Sequence, residues 1–330
     1  MFTEAIEKIL NDLCTPAVVR ALEQGGDASV LWRALEDAGF LELLTPEDAG
    51  GAGLTLAALL PVVIAFGRHA LPVPAAQSIA ARALMRDCAS VPPAGMLTLA
   101  GSAYRELDGS LCVPNVAYGL LADFALVNLH GKLLLLDCSL ARRQRSGVHA
   151  SLSATLYWPQ ETVGAAVGDN GDEVRVFQAT LHAAMMAGAM QRALEMTLQY
   201  CNDRVQFGKA IGKFQAVQHQ LSVMAEQVAA SRMAAELAFS RADAVPAQIP
   251  TAIAKARTSM AVAQVCAIAH ALFGAIGVTE ELDLQLFTRR LHEWRLSEGS
   301  ETYWNGIVGQ ALLAQPALGA SEFVRQVQSA

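Results

Sequence analysis

The chain has 330 residues, 53% of them hydrophobic and 17% charged, with a net charge of −7 and six cysteines. This length and apolar share support two or three domains with sizeable cores, and acidic charge spread along the chain argues against nucleic acid as a partner. Cys14, Cys88, Cys112, Cys138, Cys201 and Cys266 show no C-x-x-C spacing, so reduced thiols are expected rather than a metal site or a disulfide framework.

At the N-terminus, Glu4, Glu7 and Lys8 lie in an amphipathic pattern without the basic-then-apolar order of a signal peptide, and a cytoplasmic location is expected. Residues up to about 90 read as helices. Leu31, Leu35 and Ala38 share a face that stops at Gly39, and Thr45 to Gly53 breaks the periodicity with three glycines. The apolar run Leu54 to Phe66 is interrupted by Pro61 and is too short to cross a bilayer, so it reads as a buried helix and no membrane span is expected. Pro72 and Pro74 open another connection.

From about 95 the texture changes to short apolar runs. Leu111-Cys112-Val113, Ala125-Leu126-Val127 and Lys132 to Asp137 read as strands, with Leu129-His130-Gly131-Lys132 as a hairpin turn. Val174-Arg175-Val176 closes a set of roughly five to seven strands. The basic run Arg142-Arg143-Gln144-Arg145 reads as a solvated loop.

Helices return at about 179. One runs to Asn202, and the segment Arg204 to Lys213 interrupts the pattern with Gly208 and Gly212. Phe214, Val217, Leu221, Met224 and Val228 then mark a helix with a long apolar face. Pro246 and Pro250 bound the next connection. A further helix reaches Phe273, followed by a turn at Gly274 to Gly277, a helix through Arg289 and Arg290, a polar turn at Ser297-Glu298-Gly299-Ser300, and a last helix from about Thr302. The expected architecture is therefore α+β and mainly helical: an N-terminal helical domain (1–92), a reduced central β domain (93–178) and a C-terminal helical domain (179–330) built as a four-helix bundle.

The stretch Arg204-Val205-Gln206-Phe207-Gly208-Lys209-Ala210-Ile211-Gly212-Lys213-Phe214-Gln215 is long and ordered enough to be specific. It resembles the R-x-x-F-G-x-x-I-x-x-F/H-Q motif of the flavin-dependent acyl-CoA dehydrogenases. The loop Pro46-Glu47-Asp48-Ala49-Gly50-Gly51-Ala52-Gly53 is similar to that family's P-E-x-x-G-G-x-G loop. Val113-Pro114-Asn115-Val116 resembles its β-domain hairpin, and Phe273 to Glu280 its H-G-G-x-G-x-T-x-E turn. Ser297-Glu298-Gly299-Ser300 falls where the family has Y-E-G-T, about ninety residues after the arginine motif as the family requires.

The resemblance implies α,β-dehydrogenation of an acyl-CoA thioester, with Glu298 taking the α proton and the β hydride passing to flavin N5. Some members carry the base on the helix before the arginine motif, and counting back from Arg204 places that position near Ala179, which cannot serve. For FAD the resemblance implies Arg204 at the pyrophosphate, Phe207 and Gln215 near the flavin nucleotide of a neighbouring subunit, Gly274 and Gly277 at the diphosphate, and Ser300 and Thr302 beside the Glu298 turn. It further implies electron-transfer flavoprotein as acceptor and either a homo-oligomer or an α2β2 heterotetramer with a paralogous subunit, as in steroid side-chain degradation.

Three stretches differ from the family pattern. A T-E-P-x-A-G-S-D segment and the following W-x-T/S are absent between 75 and 130, Ala271 and Phe273 stand where Gln and His are common, and Ser297 replaces an aromatic residue. A non-catalytic subunit completing a partner's FAD site therefore stays open, as does a flavin oxidase or monooxygenase on the same fold.

Overall fold

A computed structural model of the chain describes residues 2–86, 88, 91–162, 164–241 and 243–329. Five helices come first: α1 (Phe2–Leu13), α2 (Pro16–Glu23), α3 (Ser29–Asp37), α4 (Leu56–Arg68) and α5 (Ala75–Leu84). Local chemistry sets their ends. Thr15 caps α2 by accepting from the Val18 amide ahead of Pro16, and Gly39, at φ 75°, stops α3. α4 continues through Pro61, so the apolar run Leu54 to Phe66 forms the helix expected of it.

Eight strands follow: β1 (Leu97–Ala100), β2 (Tyr104–Arg105), β3 (Leu111–Val116), β4 (Phe124–Leu129), β5 (Lys132–Asp137), β6 (Arg142–Arg145), β7 (Ala154–Trp158) and β8 (Ala165–Gly168). They form two four-stranded sheets, ordered β1-β4-β5-β8 and β2-β3-β7-β6, with β1 parallel to β4 and the other pairs antiparallel. Alternate residues Ala154, Leu156 and Trp158 of β7 point inward and join Val113, Val116, Ala125, Val127 and Leu136 in one core. The hairpin at His130 and Gly131 lies where the sequence puts it, with Leu129 opposite Lys132.

Two expectations for this region are corrected. Val174 to Val176 is not a strand: it lies in the first turn of the helix that starts at Asp172, where Asp172 and Glu173 favour a helix N-terminus. The basic run Arg142 to Arg145 is not a loop but β6, paired with β7 at the sheet edge. Its Arg143 guanidinium donates to the carbonyls of Gly119 (3.1 Å), Leu120 (2.8 Å), Ala122 (2.9 Å) and Cys138 (3.2 Å), which gives a charged residue a structural place.

The remaining helices are α6 (Asp172–Asp203), α7 (Gln215–Ala238), α8 (Gln248–Phe273), α9 (Leu284–Leu296), α10 (Glu301–Leu313) and α11 (Ala320–Ser329). Pro250 lies inside the first turn of α8 rather than in the connection before it, a position where a missing N–H costs nothing, and α11 is a helix the sequence pattern did not announce.

The chain separates into two compact units, Met1–Leu59 with Leu71–Leu181 and Arg241–Pro246, and Leu60–Ala70 with His182–Ser240 and Ala247–Ala330. The first holds both sheets. In the second, α7, α9 and α10 pack on α8. By length and composition α8 is apolar enough to cross a membrane, yet its Lys255 is buried among these helices, which fits a central packing helix. In the same unit α4 and α6 touch backbone to backbone: a Cβ on Gly67 would lie 2.0 Å from the Met185 carbonyl oxygen, and one on Gly188 would lie 2.1 Å from that of Ile64.

Candidate active site

The turn between α9 and α10 carries Glu298. α9 closes at Ser297, whose amide (3.0 Å) and hydroxyl (2.9 Å) both donate to the Glu293 carbonyl. Glu298 then takes φ 58°, the left-handed region that a residue with a Cβ occupies only where its surroundings hold it. Gly299 follows at φ 109°, where a Cβ would lie 2.5 Å from Tyr303 Cδ1 and 3.0 Å from Trp304 Nε1. Ser300 is the N-cap position of α10 and Thr302 an exposed residue of its first turn.

Three contacts brace this turn. Arg295 and Glu301 form a two-pronged ion pair across it, Nη2 to Oε1 and Nε to Oε2 (3.2 Å). The hydrogen bond from Arg295 holds the Glu301 carboxyl below its ordinary range, and the same bond pushes Arg295 up. From α8, the ammonium of Lys255 donates to the carbonyls of Arg295 (2.9 Å) and Gly299 (3.0 Å) and to Ser259 Oγ (3.2 Å). Burial pushes Lys255 down to about 7, against the pull of Glu298 and Glu301. Glu298 itself is half-buried.

Two buried polar groups near the turn lack a hydrogen-bond partner. Trp304 presents its indole N–H beside Gly299, and His182 on α6, stacked on Trp294 of α9 at 6.3 Å, has neither ring nitrogen paired. Burial lowers His182 to about 3, which keeps it neutral.

The arginine motif builds a different surface. Beyond α6, β9 (Val205–Gln206) and β10 (Lys209–Ala210) pair antiparallel around Phe207 at φ 51° and Gly208 at φ 78°, the two positive angles a tight hairpin needs. The Arg204 carbonyl accepts from the Ile211 amide at 2.8 Å and closes it. Arg204 and Gln215 are exposed, and Phe207, 90% exposed, stands edge-on to Phe214 at 6.2 Å. Gly274 ends α8 at φ 66° with open space where a Cβ would be, while Gly277 is buried against Phe273. Tyr200, one turn before Arg204, stacks on Phe273 at 4.4 Å and donates to its carbonyl at 3.4 Å, tying hairpin and glycine turn together.

The site residues thus fall into two clusters at opposite ends of α8. Arg204, Phe207, Gln215, Gly274 and Gly277 gather near Phe273; Glu298, Ser300 and Thr302 gather near Lys255. Lys255 and Phe273 lie eighteen positions apart, about 27 Å along the helix. Ala179, the alternative base position, is a buried residue of α6.

Residues 177–313 match the family model for the acyl-CoA dehydrogenase C-terminal domain, and residues 1–89 match that for the N-terminal domain. Acyl-CoA dehydrogenase IpdE2 of Mycobacterium tuberculosis is 34% identical over 299 residues, covering 88% of this chain and 90% of that protein. The chain belongs to the acyl-CoA dehydrogenase family. Another member, acyl-CoA dehydrogenase FadE27 of the same organism, is 28% identical over 94% of this chain and 96% of its own length.

Solved structures share the acyl-CoA dehydrogenase fold. One is the ChsE4-ChsE5 complex from Mycobacterium tuberculosis, with TM-score 0.83 and 23% identity over 94% of this chain and 96% of that one. A variant of the Tcur3481-Tcur3483 steroid ACAD gives TM-score 0.82 and 24% identity over 96% and 98%. The FAD complex of PigA gives TM-score 0.78 and 18% identity over 94% and 96%.

Sequence reasoning missed the bracing of the Glu298 turn. Its signal is a Lys set between alanines at Ala254 and Ala256 in the mostly apolar helix α8, a place where a buried ammonium stays only if carbonyls receive it. The Tyr200 to Phe273 tie has no sequence signal, because seventy-three positions separate the two.

Proposed function

We propose that this chain is an FAD-dependent acyl-CoA dehydrogenase subunit with Glu298 as the α-proton base. The observation that carries the reading is a carboxylate on a left-handed turn braced on both sides, in a chain of this family. A thioester acidifies its α C–H, and a carboxylate fixed over that carbon removes the proton without first reorganising. In this reading the backbone N–H next to the base polarises the thioester oxygen.

When bound, FAD supplies the acceptor for the β hydride. The residues present fit such a group. Arg204 is an exposed guanidinium that matches diphosphate oxygens, Gly274 leaves room for close approach, and the unpaired Trp304 N–H is a donor beside the base. Phe207, Gln215, Gly277, Ser300 and Thr302 complete the set assigned to the cofactor.

Because the two clusters lie a helix length apart, Glu298 serves one flavin and Arg204 another, so the working unit is an oligomer. We place it in the cytoplasm, as a homo-oligomer or an α2β2 heterotetramer with a paralogous subunit, passing electrons to electron-transfer flavoprotein. Its substrate is an acyl-CoA. The test is Glu298→Gln in the flavin-loaded complex. The kcat for α,β-dehydrogenation should fall by about a thousandfold at unchanged FAD content, and unchanged turnover would remove Glu298 from the mechanism.

A second reading is a non-catalytic subunit that completes a partner's FAD site. It is favoured by the outward-facing Arg204, Phe207 and Gln215 together with the missing T-E-P-x-A-G-S-D and W-x-T/S stretches. Stoichiometric FAD and turnover in the chain expressed alone would reject it.

A further inference from the structure

Lys255 is fully buried, at 0% exposure, about two turns into the helix that runs past the Glu298 turn. An ammonium has three donors, and all three are used: the Arg295 carbonyl at 2.9 Å, the Gly299 carbonyl at 3.0 Å and Ser259 Oγ at 3.2 Å. The first acceptor is one of the carbonyls that the end of α9 leaves without a helical partner. The second is the carbonyl of the residue directly after Glu298. One side chain therefore spans the turn, and Ser259 reinforces it by donating to the Arg295 carbonyl at 3.3 Å.

We infer that Lys255 is the positioning residue of the base, fixing the direction of the Glu298 carboxylate by tying together the backbone on either side of it. The inference rests on the reading of Glu298 as base. Backbone geometry favours it: Glu298 at φ 58° and Gly299 at φ 109° are costly angles that relax unless tertiary contacts impose them. Arg295 and Glu301 close the same turn from the solvent side, so the loop is clasped by one ion pair and by one buried cation.

The charge of Lys255 has a second effect. Glu298 and Glu301 favour the ammonium, and Arg295 and burial oppose it. On α6, His182 is neutral and brings no charge of its own. A cation beside the Glu298 carboxylate favours its ionised form, the form a base needs.

The test uses the flavin-loaded complex and three variants: Lys255→Met, Lys255→Gln and Glu298→Gln. Amide hydrogen exchange across 297–302 reads the turn independently of catalysis. In Lys255→Met, exchange at 298–301 should rise at least about tenfold over wild type. In the same variant kcat should fall by about a hundredfold with KM within about threefold, because a displaced base costs chemistry rather than binding.

Lys255→Gln is too short to span both carbonyls and should loosen the turn as well, which keeps the question decidable if the methionine variant does not fold. Wild-type exchange at 298–301 in either folded variant overturns the inference. So does a loosened turn with unchanged kcat where Glu298→Gln is inactive. If Glu298→Gln is fully active, the base assignment fails, and the exchange data still decide whether Lys255 holds the turn.

Discussion

The two ends of α8 present opposite kinds of surface. At the Lys255 end the polar turn is tied off inside the chain, by the ammonium, by the Arg295–Glu301 pair and by the Ser297 hydroxyl on Glu293. At the Phe273 end the hairpin is well formed, but its characteristic side chains Arg204, Phe207 and Gln215 face outward. On the proposed reading of Glu298 as base, a carboxylate that must be preorganised before substrate arrives has its support built into its own subunit. On the same reading, a cofactor grip that serves a neighbour would need only a stiff backbone and outward side chains, and its energy would appear on assembly.

The sharpest way to break this contrast is Gly299→Ala. The added methyl would sit 2.5 Å from Tyr303 Cδ1 at a backbone angle that L residues avoid. A loss of about 2–3 kcal/mol in denaturant unfolding should accompany a collapse of kcat; a variant as stable and active as wild type would show the turn to be soft. Arg204→Gln should do the reverse. Its apo form should melt with wild type, while the FAD dissociation constant of the complex rises about tenfold to thirtyfold, as loss of a charged hydrogen bond predicts.

Glu301→Gln should give the smallest effect, about 1 kcal/mol at pH 7 in denaturant unfolding, because its ion pair is partly solvated. Here pH adds a signature. Arg295 holds Glu301 below the ordinary carboxylate value of 4.5, so the pair stabilises the fold above that value and the benefit fades as pH falls through the lowered pKa. The stability gap between Glu301→Gln and wild type should therefore be open at pH 7 and close in acid.

Much of the fold was legible because local chemistry and tertiary structure agree. Gly39 stops α3, and the His130-Gly131 turn fixes the β4–β5 register. Disagreement marks the misreadings. Val174 and Val176 favour strand by themselves, but the long helix absorbs them and buries Val174. Arg142 to Arg145 is solvated apart from the half-buried Arg143, but a pattern of charges does not reveal its pairing with β7 or the carbonyls converging on one guanidinium. For the site, the motif order pointed to Glu298 and Arg204: Glu298 lies in the polar turn expected between two helices, whereas Arg204 precedes a hairpin where only a break in the helical pattern was expected. Lys255 stayed hidden because its acceptors lie forty and forty-four positions further along the chain.

The length of α8 acts as a ruler. Its 26 residues carry the tie to the Glu298 turn near one end and the Phe273 contact at the other, each of which needs a particular azimuth as well as a particular height. Removing one residue between Lys255 and Phe273 would shorten the helix by only about 1.5 Å but rotate one anchor against the other by about 100°. The ammonium would then point away from its carbonyls while every amino acid of both clusters remained in place. Natural length variation in this protein is accordingly expected in the connections around 239–247 and 314–319, where a residue more or less changes no phase.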